Sequence, residues 1–143
     1  MITNETSEES REPTAITKRV AVVFADLAGT TALIATVGDL SVAGALQTLF
    51  RRSYHLQTAY NGRVLKTFGD GFLAIFEDVA NALHFAIALQ QSLAHEPLLV
   101  GQHMAIRMSI HVGSVVLMET SYGEEVLGGV FPFFRSGFQQ SEV

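Results

Sequence analysis

The sequence has no cysteine and few basic residues. Without cysteine, the chain cannot form a disulfide scaffold, a cysteine-based zinc site or a thiol nucleophile. Nine Lys and Arg stand against 14 Asp and Glu, so the 143 residues carry a formal net charge of −5. A general nucleic-acid binder needs a basic face, and this acidic balance therefore argues against nucleic acid as a partner.

Long hydrophobic runs are also absent. A membrane-spanning helix needs about 20 largely apolar residues. The best candidate, residues 20–37, contains Asp26, whose unpaired carboxylate would be costly inside a bilayer. The N-terminus lacks the basic segment and apolar run of a secretory signal. We therefore expect no membrane segment in this chain and a cytoplasmic location.

The composition is that of a globular protein, because 48% of the residues are apolar and the length suits one domain. Three parts are predicted along the chain. Residues 1–18 are polar, and we expect a disordered tail there. Residues 19–127 form the predicted domain. Residues 128–143 form a divergent C-terminal segment, in which four phenylalanines surround a proline without helical or strand periodicity.

The hydrophobic pattern of the domain alternates between strand and helix signals. The continuous apolar run at residues 20–24 indicates a central strand covered on both faces. Asn61-Gly62 is typical of a helix end in the left-handed conformation, and Asp70-Gly71 is typical of a tight hairpin turn. The predicted elements are strands at 19–25, 63–68, 72–76, 104–112 and 115–118, and helices at 32–37, 41–60 (with Ser41 as N-cap) and 79–93 (with Asp78 as N-cap). The apolar residues of the third helix recur at helical spacing and form its predicted inner face: Val79, Ala82, Leu83, Ala86, Leu89 and Leu93. This order predicts an α+β fold with a ferredoxin-like βαββαβ core.

Two aspartates stand at places where that fold could bring them together. Asp26 follows the first strand, and Asp70 lies at the tip of the hairpin. The first strand of a ferredoxin-like sheet lies beside the hairpin strands, so the two carboxylates can meet. Carboxylate oxygens are ligands that Mg²⁺ prefers. Each aspartate alone also has an ordinary interpretation, because Asp is common at strand ends and in tight turns.

The segment Leu27-Ala-Gly-Thr-Thr31 is a candidate phosphate site. It is small, contains glycine and leads into a helix, and the free N–H groups at a helix start attract anions. An ordinary strand-to-helix turn would have the same composition. The common P-loop and dinucleotide-binding fingerprints are absent from the sequence.

In combination, three motifs resemble the catalytic domain of class III adenylate/guanylate cyclases. They occur in the order found in that family, with matching helices between them, and the resemblance covers about residues 19–127. The motifs are Phe24-Ala-Asp-Leu-Ala-Gly-Thr-Thr31, Leu65-Lys-Thr-Phe-Gly-Asp-Gly-Phe72 and Ile106-Arg-Met-Ser-Ile-His-Val-Gly113.

The resemblance implies a two-metal reaction that converts ATP to cyclic AMP and pyrophosphate in intracellular signal transduction. Asp26 and Asp70 would be the catalytic residues and, with the carbonyl of Leu27, would hold two Mg²⁺ or Mn²⁺ ions. The amides of Leu27, Ala28, Gly29, Thr30 and Thr31 would bind the triphosphate. Such a reaction depends on positioning and charge neutralisation.

The resemblance also implies a base-reading residue and a dimer. Lys66 occupies the position at which family members that use ATP commonly carry lysine, so ATP is favoured over GTP. On its strand we expect Lys66 to share a face with Val64 and Phe68. The second base-reading residue should fall near Glu124 or Glu125, and we assign Glu125. Family sites form between two subunits, which implies a homodimer or a heterodimer with another cyclase.

After residue 130 the chain departs from the family pattern. The family has a helix there with an asparagine that orients the ribose and an arginine that stabilises the transition state. By spacing, Pro132 and Ser136 take these two positions, and Arg135 is one position off. We therefore expect a core that is incomplete at the C-terminus. A missing transition-state donor typically lowers rates by about 10²–10³-fold.

Two other interpretations stay open beside the active enzyme. The chain could be a cyclase-like fragment that binds metal–nucleotide, or pairs with an intact cyclase, without turnover. It could also be a generic ferredoxin-like regulatory domain with no nucleotide role.

Overall fold

The computed structural model describes residues 14–128. They divide into a larger compact unit, residues 20–113, and a smaller one, residues 14–19 and 114–128. Predictions for residues 1–13 and for residues 129–143, which include Pro132, Arg135 and Ser136, lie outside the described residues. None of the helices within residues 14–128 is long and apolar enough to cross a membrane.

The described chain contains five strands and three helices in the predicted order. They are β1 (Ala15–Leu27), α1 (Thr30–Val37), α2 (Asp39–Ala59), β2 (Gly62–Phe68), β3 (Gly71–Phe76), α3 (Val79–His95), β4 (Ile106–Thr120) and β5 (Gly123–Leu127).

The larger unit contains the predicted ferredoxin-like core. Its strands are arranged in the order β2-β3-β1-β4. Strand β3 pairs antiparallel with both β1 and β2. Each connection that contains a helix joins strands that are not neighbours, as the βαββαβ topology requires. The predicted fold class is therefore confirmed.

The core of the larger unit lies between the sheet and the inner faces of α2 and α3. Strand β3 is buried along its whole length, as is β1 from Val20 onwards. Alternate residues of both strands form one hydrophobic cluster with the two helices: Ala21, Val23, Ala25, Leu27, Phe72, Ala74, Phe76, Leu49, Phe85 and Leu89. The apolar run at residues 20–24 thus forms a strand covered on both faces, as predicted.

The predicted residues end α2 and cap the start of α3, but a different residue caps the start of α2. Asn61 after α2 has a φ of 55°, the left-handed conformation that asparagine tolerates. The Asp78 carboxylate caps α3 by accepting from the N–H of Ala80 at 2.8 Å. The prediction that Ser41 caps α2 is wrong, because the helix begins at Asp39 and Gly38 is its N-cap.

The buried face of α3 differs from the prediction. It consists of Ala82, Phe85, Ala86, Leu89 and Leu93, whereas Val79 and Leu83 are half-exposed. Phe85 makes the difference, because its ring packs against Phe72 and Phe76 from the sheet, with centroids 6.2 and 5.0 Å apart. A large aromatic side chain buries more apolar area than Leu83 could at the same interface.

Strand limits also differ at both ends of the chain. β1 begins at Ala15, not at residue 19, and in the smaller unit the carbonyl of Thr14 accepts from the N–H of Glu119 at 3.0 Å. The predicted break at Gly113 is wrong, because β4 runs through it to Thr120 and then pairs antiparallel with β5. These segments are polar or contain glycine, so their composition does not predict strands. They are strands because pairing with a neighbouring strand satisfies their backbone hydrogen-bonding groups.

Candidate functional site

Asp26 and Asp70 meet at one end of the sheet in the larger unit. Asp26, near the end of β1, lies opposite Gly71, the residue that follows Asp70. The N–H of Leu27 donates to the carbonyl of Asp70 at 3.0 Å. The backbone therefore ties the residue after the first aspartate directly to the second one.

Two glycines, Gly69 and Gly71, shape the hairpin turn and allow it to lie close to β1. Gly69 has a φ of 49°, so the left-handed residue of the turn is Gly69 and not Asp70 or Gly71 as the Asp-Gly signal suggested. Gly71 is needed for a different reason. A Cβ at this position would collide with the carbonyl oxygen of Ala25 and lie 3.1 Å from the Cβ of Asp26. The absent side chain allows the two aspartate-bearing segments to approach.

Arg107 holds the carboxylate of Asp26 from β4. Asp26 is a buried charged residue, only 6% exposed. The guanidinium donates from Nε to Oδ1 at 3.2 Å and from Nη2 to Oδ2 at 3.0 Å, a fork pairing that is stronger than a single hydrogen bond. Arg107 is not among the residues predicted for the site. The available signal was its place on the polar face of β4, since a buried carboxylate needs a cationic partner.

Thr30 orients the carboxylate of Asp70. Its Oγ1 donates to Oδ2 of Asp70 at 2.7 Å and lies 3.3 Å from the carbonyl oxygen of Leu27. A hydroxyl has one proton, and the shorter contact is the stronger hydrogen bond. The carboxylate of Asp70 is thus held by a neutral partner at the first residue of α1.

The segment between the first aspartate and α1 divides into two parts. The N–H of Leu27 is taken by Asp70, and the N–H of Ala28 donates to the carbonyl of Ala105 at 2.9 Å. Both amides anchor the segment to its neighbours in this arrangement, and the triphosphate role of Leu27 and Ala28 stays a prediction. The N–H groups at the start of α1 differ, because helix geometry leaves the first ones without intrahelical acceptors. For Gly29, Thr30 and Thr31 the phosphate role stays a prediction.

Lys66 is exposed on β2, beside a bulge. Val64 pairs with Ala74 and Lys66 with Leu73, so Leu65 is the extra residue. The prediction that Lys66 shares a face with Val64 is wrong, because this shift moves Lys66 to the opposite face. Lys66 does share a face with Phe68, which pairs with Gly71. Register also places Lys66 on the sheet face of Asp26, away from the helix-covered core.

The remaining predicted residue, Glu125, lies in the smaller unit. It belongs to β5 and pairs with Met118 of β4, while the neighbouring Glu124 pairs with Glu119. Its role as a base-reading residue stays a prediction.

The donor set around Asp26 and Asp70 fits a divalent cation that prefers oxygen ligands. It offers two carboxylates and the Leu27 carbonyl, the types that bind Mg²⁺ and Mn²⁺. Among residues 14–128, no group of three or more His, Cys, Asp or Glu is close enough to hold a metal ion by itself. A cation here would complete its coordination with water and with phosphate oxygens, as Mg²⁺ usually does in nucleotide sites.

Known proteins with similar sequences and structures agree on one family. A model of the adenylate and guanylate cyclase catalytic domain matches residues 13–122. An adenylate cyclase of Streptomyces coelicolor is 32% identical over 81 residues, which are 57% of this chain and 21% of that protein. The chain thus matches about a fifth of the length of this curated relative.

Solved structures show the same fold. The catalytic core of a rhodopsin-guanylyl cyclase with converted specificity, in complex with ATPαS, has a TM-score of 0.74 at 18% identity, over 82% of this chain and 69% of that one. The adenylyl cyclase CyaB from P. aeruginosa has a TM-score of 0.70 at 18% identity, over 81% of this chain and 68% of that one. Because the family model covers most of the chain, this protein belongs to the adenylate and guanylate cyclase catalytic domain family.

Proposed function

We propose that this domain converts ATP to cyclic AMP and pyrophosphate, with Asp26 and Asp70 as its catalytic and metal-binding residues. The observation that supports this most is the convergence of the two aspartates beside the first turn of α1. Where carboxylates lie next to the N-terminus of a helix, the carboxylates can bind cations and the N–H groups of the helix can bind phosphates. ATP is an intracellular metabolite, so the proposal includes a cytoplasmic location and a role in signal transduction.

Each residue of the site has a defined task in this proposal. Asp26, Asp70 and the Leu27 carbonyl would hold Mg²⁺ or Mn²⁺, two per site. When bound, such cations would supply positive charge to neutralise the phosphates and to acidify the ribose 3′-hydroxyl. Thr30 and Arg107 fix the two carboxylates, and the first N–H groups of α1 receive phosphate oxygens. In the proposed reaction, the 3′-oxygen forms a bond to the α-phosphorus while the bond from that phosphorus to the pyrophosphate oxygen breaks, and the 3′-hydroxyl proton passes to solvent water.

Lys66 is proposed to read the adenine, with Glu125 as the second base-reading residue. Two facts support the assignment of Lys66: the residue is exposed, and it lies on the sheet face of Asp26. We propose ATP over GTP for this reason, together with the family position of Lys66. We also propose a homodimer, or a heterodimer with another cyclase, in which one subunit supplies the aspartates and the other the base-reading residues.

The proposed activity is tested by incubating the purified chain with Mn²⁺ and ATP and measuring cyclic AMP. Asp26→Asn should remove product formation, because it removes a charged oxygen ligand with little change in volume. Asp39→Asn is a matched control, since Asp39 is exposed in the first turn of α2. Equal activity of the wild type and the Asp26 variant would contradict the assignment.

A second candidate function is a module that binds metal–nucleotide without turnover. The observation that favours it is the presence of Pro132 and Ser136 where the family pattern has asparagine and arginine. This candidate predicts Mn²⁺-dependent binding of a non-cyclisable ATP analogue and no cyclic AMP. A generic regulatory domain predicts neither, so the two assays together distinguish the three cases.

A further inference from the structure

Asp26 and Asp70 are held by partners of different charge. The Asp26 carboxylate is paired with a guanidinium, and its side chain is 9% exposed against 26% for that of Arg107. The Asp70 carboxylate accepts instead from the neutral hydroxyl of Thr30. A cation that approaches Asp70 would meet a carboxylate held by a neutral hydroxyl, whereas one that approaches Asp26 meets a fixed positive charge on both oxygens.

The position of Arg107 is fixed by the backbone around it. The carbonyl of Ala105 accepts from Ala28, and the carbonyl of Ile106 accepts from the side chain of Gln90 on α3 at 2.7 Å. The start of β4 is therefore attached both to the segment after Asp26 and to the helix layer. This anchoring holds the guanidinium at Asp26, so the fork contact is a built feature of the fold.

A cation at Asp26 would compete with this pairing. Each carboxylate oxygen already accepts one guanidinium N–H, and a divalent ion a few ångströms from a guanidinium is repelled by it. Without a cation, however, the pairing is needed, because an unpartnered buried carboxylate is strongly destabilising. One charge therefore stabilises the metal-free fold and weakens metal binding.

We infer that Arg107 is a positioning residue that occupies Asp26 in the metal-free protein and sets the affinity of this site for divalent cations. This inference rests on the proposed function, because it concerns the same metal site. It predicts that cation binding at Asp26 is weak while the guanidinium is paired and becomes tighter when the charge is removed. If Arg107 had only a structural role, its replacement would instead lower the metal affinity.

The test compares Arg107→Gln and Arg107→Lys with the wild type in the full chain. Mn²⁺ affinity is measured without nucleotide by electron paramagnetic resonance, and thermal unfolding is followed in EDTA and in Mn²⁺. Arg107→Gln should bind Mn²⁺ about tenfold tighter or more, melt at a lower temperature in EDTA, and gain more from Mn²⁺ than the wild type does. Arg107→Lys keeps the charge and should retain weak binding. Arg52→Gln, which removes contacts with Ser92 and Glu96, should leave Mn²⁺ affinity unchanged.

Equal or weaker Mn²⁺ binding by Arg107→Gln would overturn the inference. If Asp26→Asn also loses Mn²⁺ binding, the proposed function stands while the inference fails. If the wild type binds neither Mn²⁺ nor a non-cyclisable ATP analogue, both fail. Should Arg107→Gln not fold in EDTA, the double variant with Asp26→Asn decides. Recovery of folding in the double variant supports the pairing, and a loss equal to the sum of both single variants contradicts it.

Discussion

The N–H of Leu27 donates to the carbonyl of Asp70 at 3.0 Å, although 43 positions separate the two residues. This hydrogen bond joins the end of β1 to the turn of the hairpin. It places one aspartate directly before the bond on the first segment and the other at its acceptor on the second. The site is thus assembled by backbone pairing, and its geometry depends on the close approach of the two segments.

Gly71→Ala tests that close approach. The new Cβ would collide with the carbonyl of Ala25, and backbone cannot move aside cheaply. We expect the free energy of unfolding to fall by about 2 kcal/mol or more, measured by urea denaturation. Gly44→Ala is the matched control, because nothing lies within 4 Å of its Cβ position and it lies inside α2. In this control the free energy of unfolding should rise by about 0.5–1 kcal/mol. Equal losses of stability in both variants would contradict the close approach at Gly71.

Thr30→Val tests the orientation of Asp70. The substitution removes the hydroxyl that donates to Oδ2 and keeps the shape of the side chain. We expect a loss of about 1 kcal/mol in stability and weaker Mn²⁺-dependent nucleotide binding, measured by calorimetry. Thr30→Ser should retain both properties.

Thr36→Val provides a control on the same helix. The Thr36 hydroxyl donates to the carbonyl of Ala32 at the exposed surface of α1. Nucleotide binding should therefore be unchanged in this variant. A loss of binding in Thr36→Val as large as in Thr30→Val would show that the effect comes from the helix as a whole and not from Asp70.

Lys66→Glu tests the proposed reading of the base. A charged hydrogen bond contributes about 1.5–3 kcal/mol. Replacing the ammonium with a carboxylate should therefore lower the preference for ATP over GTP by roughly tenfold or more. The measurement is competition between the two nucleotides in the presence of Mn²⁺. Arg63→Glu makes the same charge change on β2 and should leave the preference intact. An unchanged preference in Lys66→Glu would remove this residue from the base site.

The order of elements was sufficient to predict that Asp26 and Asp70 come together. A βαββαβ chain places the first strand beside the hairpin, so a residue at the end of one lies near the turn of the other. The apolar run at residues 20–24, within β1, also predicted burial on both faces. These features follow from local patterns and from a small number of allowed topologies, which sequence reasoning can handle.

Other features depend on contacts that no local pattern records. The bulge at Leu65 reverses the face on which Lys66 lies, and in the fold the N–H of the preceding Val64 donates to the side chain of Gln57 on α2. The fork between Arg107 and Asp26 joins residues 81 positions apart. Strand β4 passes through Gly113 because pairing outweighs the turn tendency of one glycine. Each of these outcomes is decided by tertiary packing.

Asp26 and Asp70 are proposed to bind divalent cations jointly, together with a nucleoside triphosphate. The most direct test counts bound Mn²⁺ by electron paramagnetic resonance in the presence of a saturating non-cyclisable ATP analogue. We expect two Mn²⁺ per nucleotide site in the wild type and in Asp39→Asn. Both Asp26→Asn and Asp70→Asn should lose bound Mn²⁺. Unchanged Mn²⁺ occupancy in the two site variants would contradict this proposal.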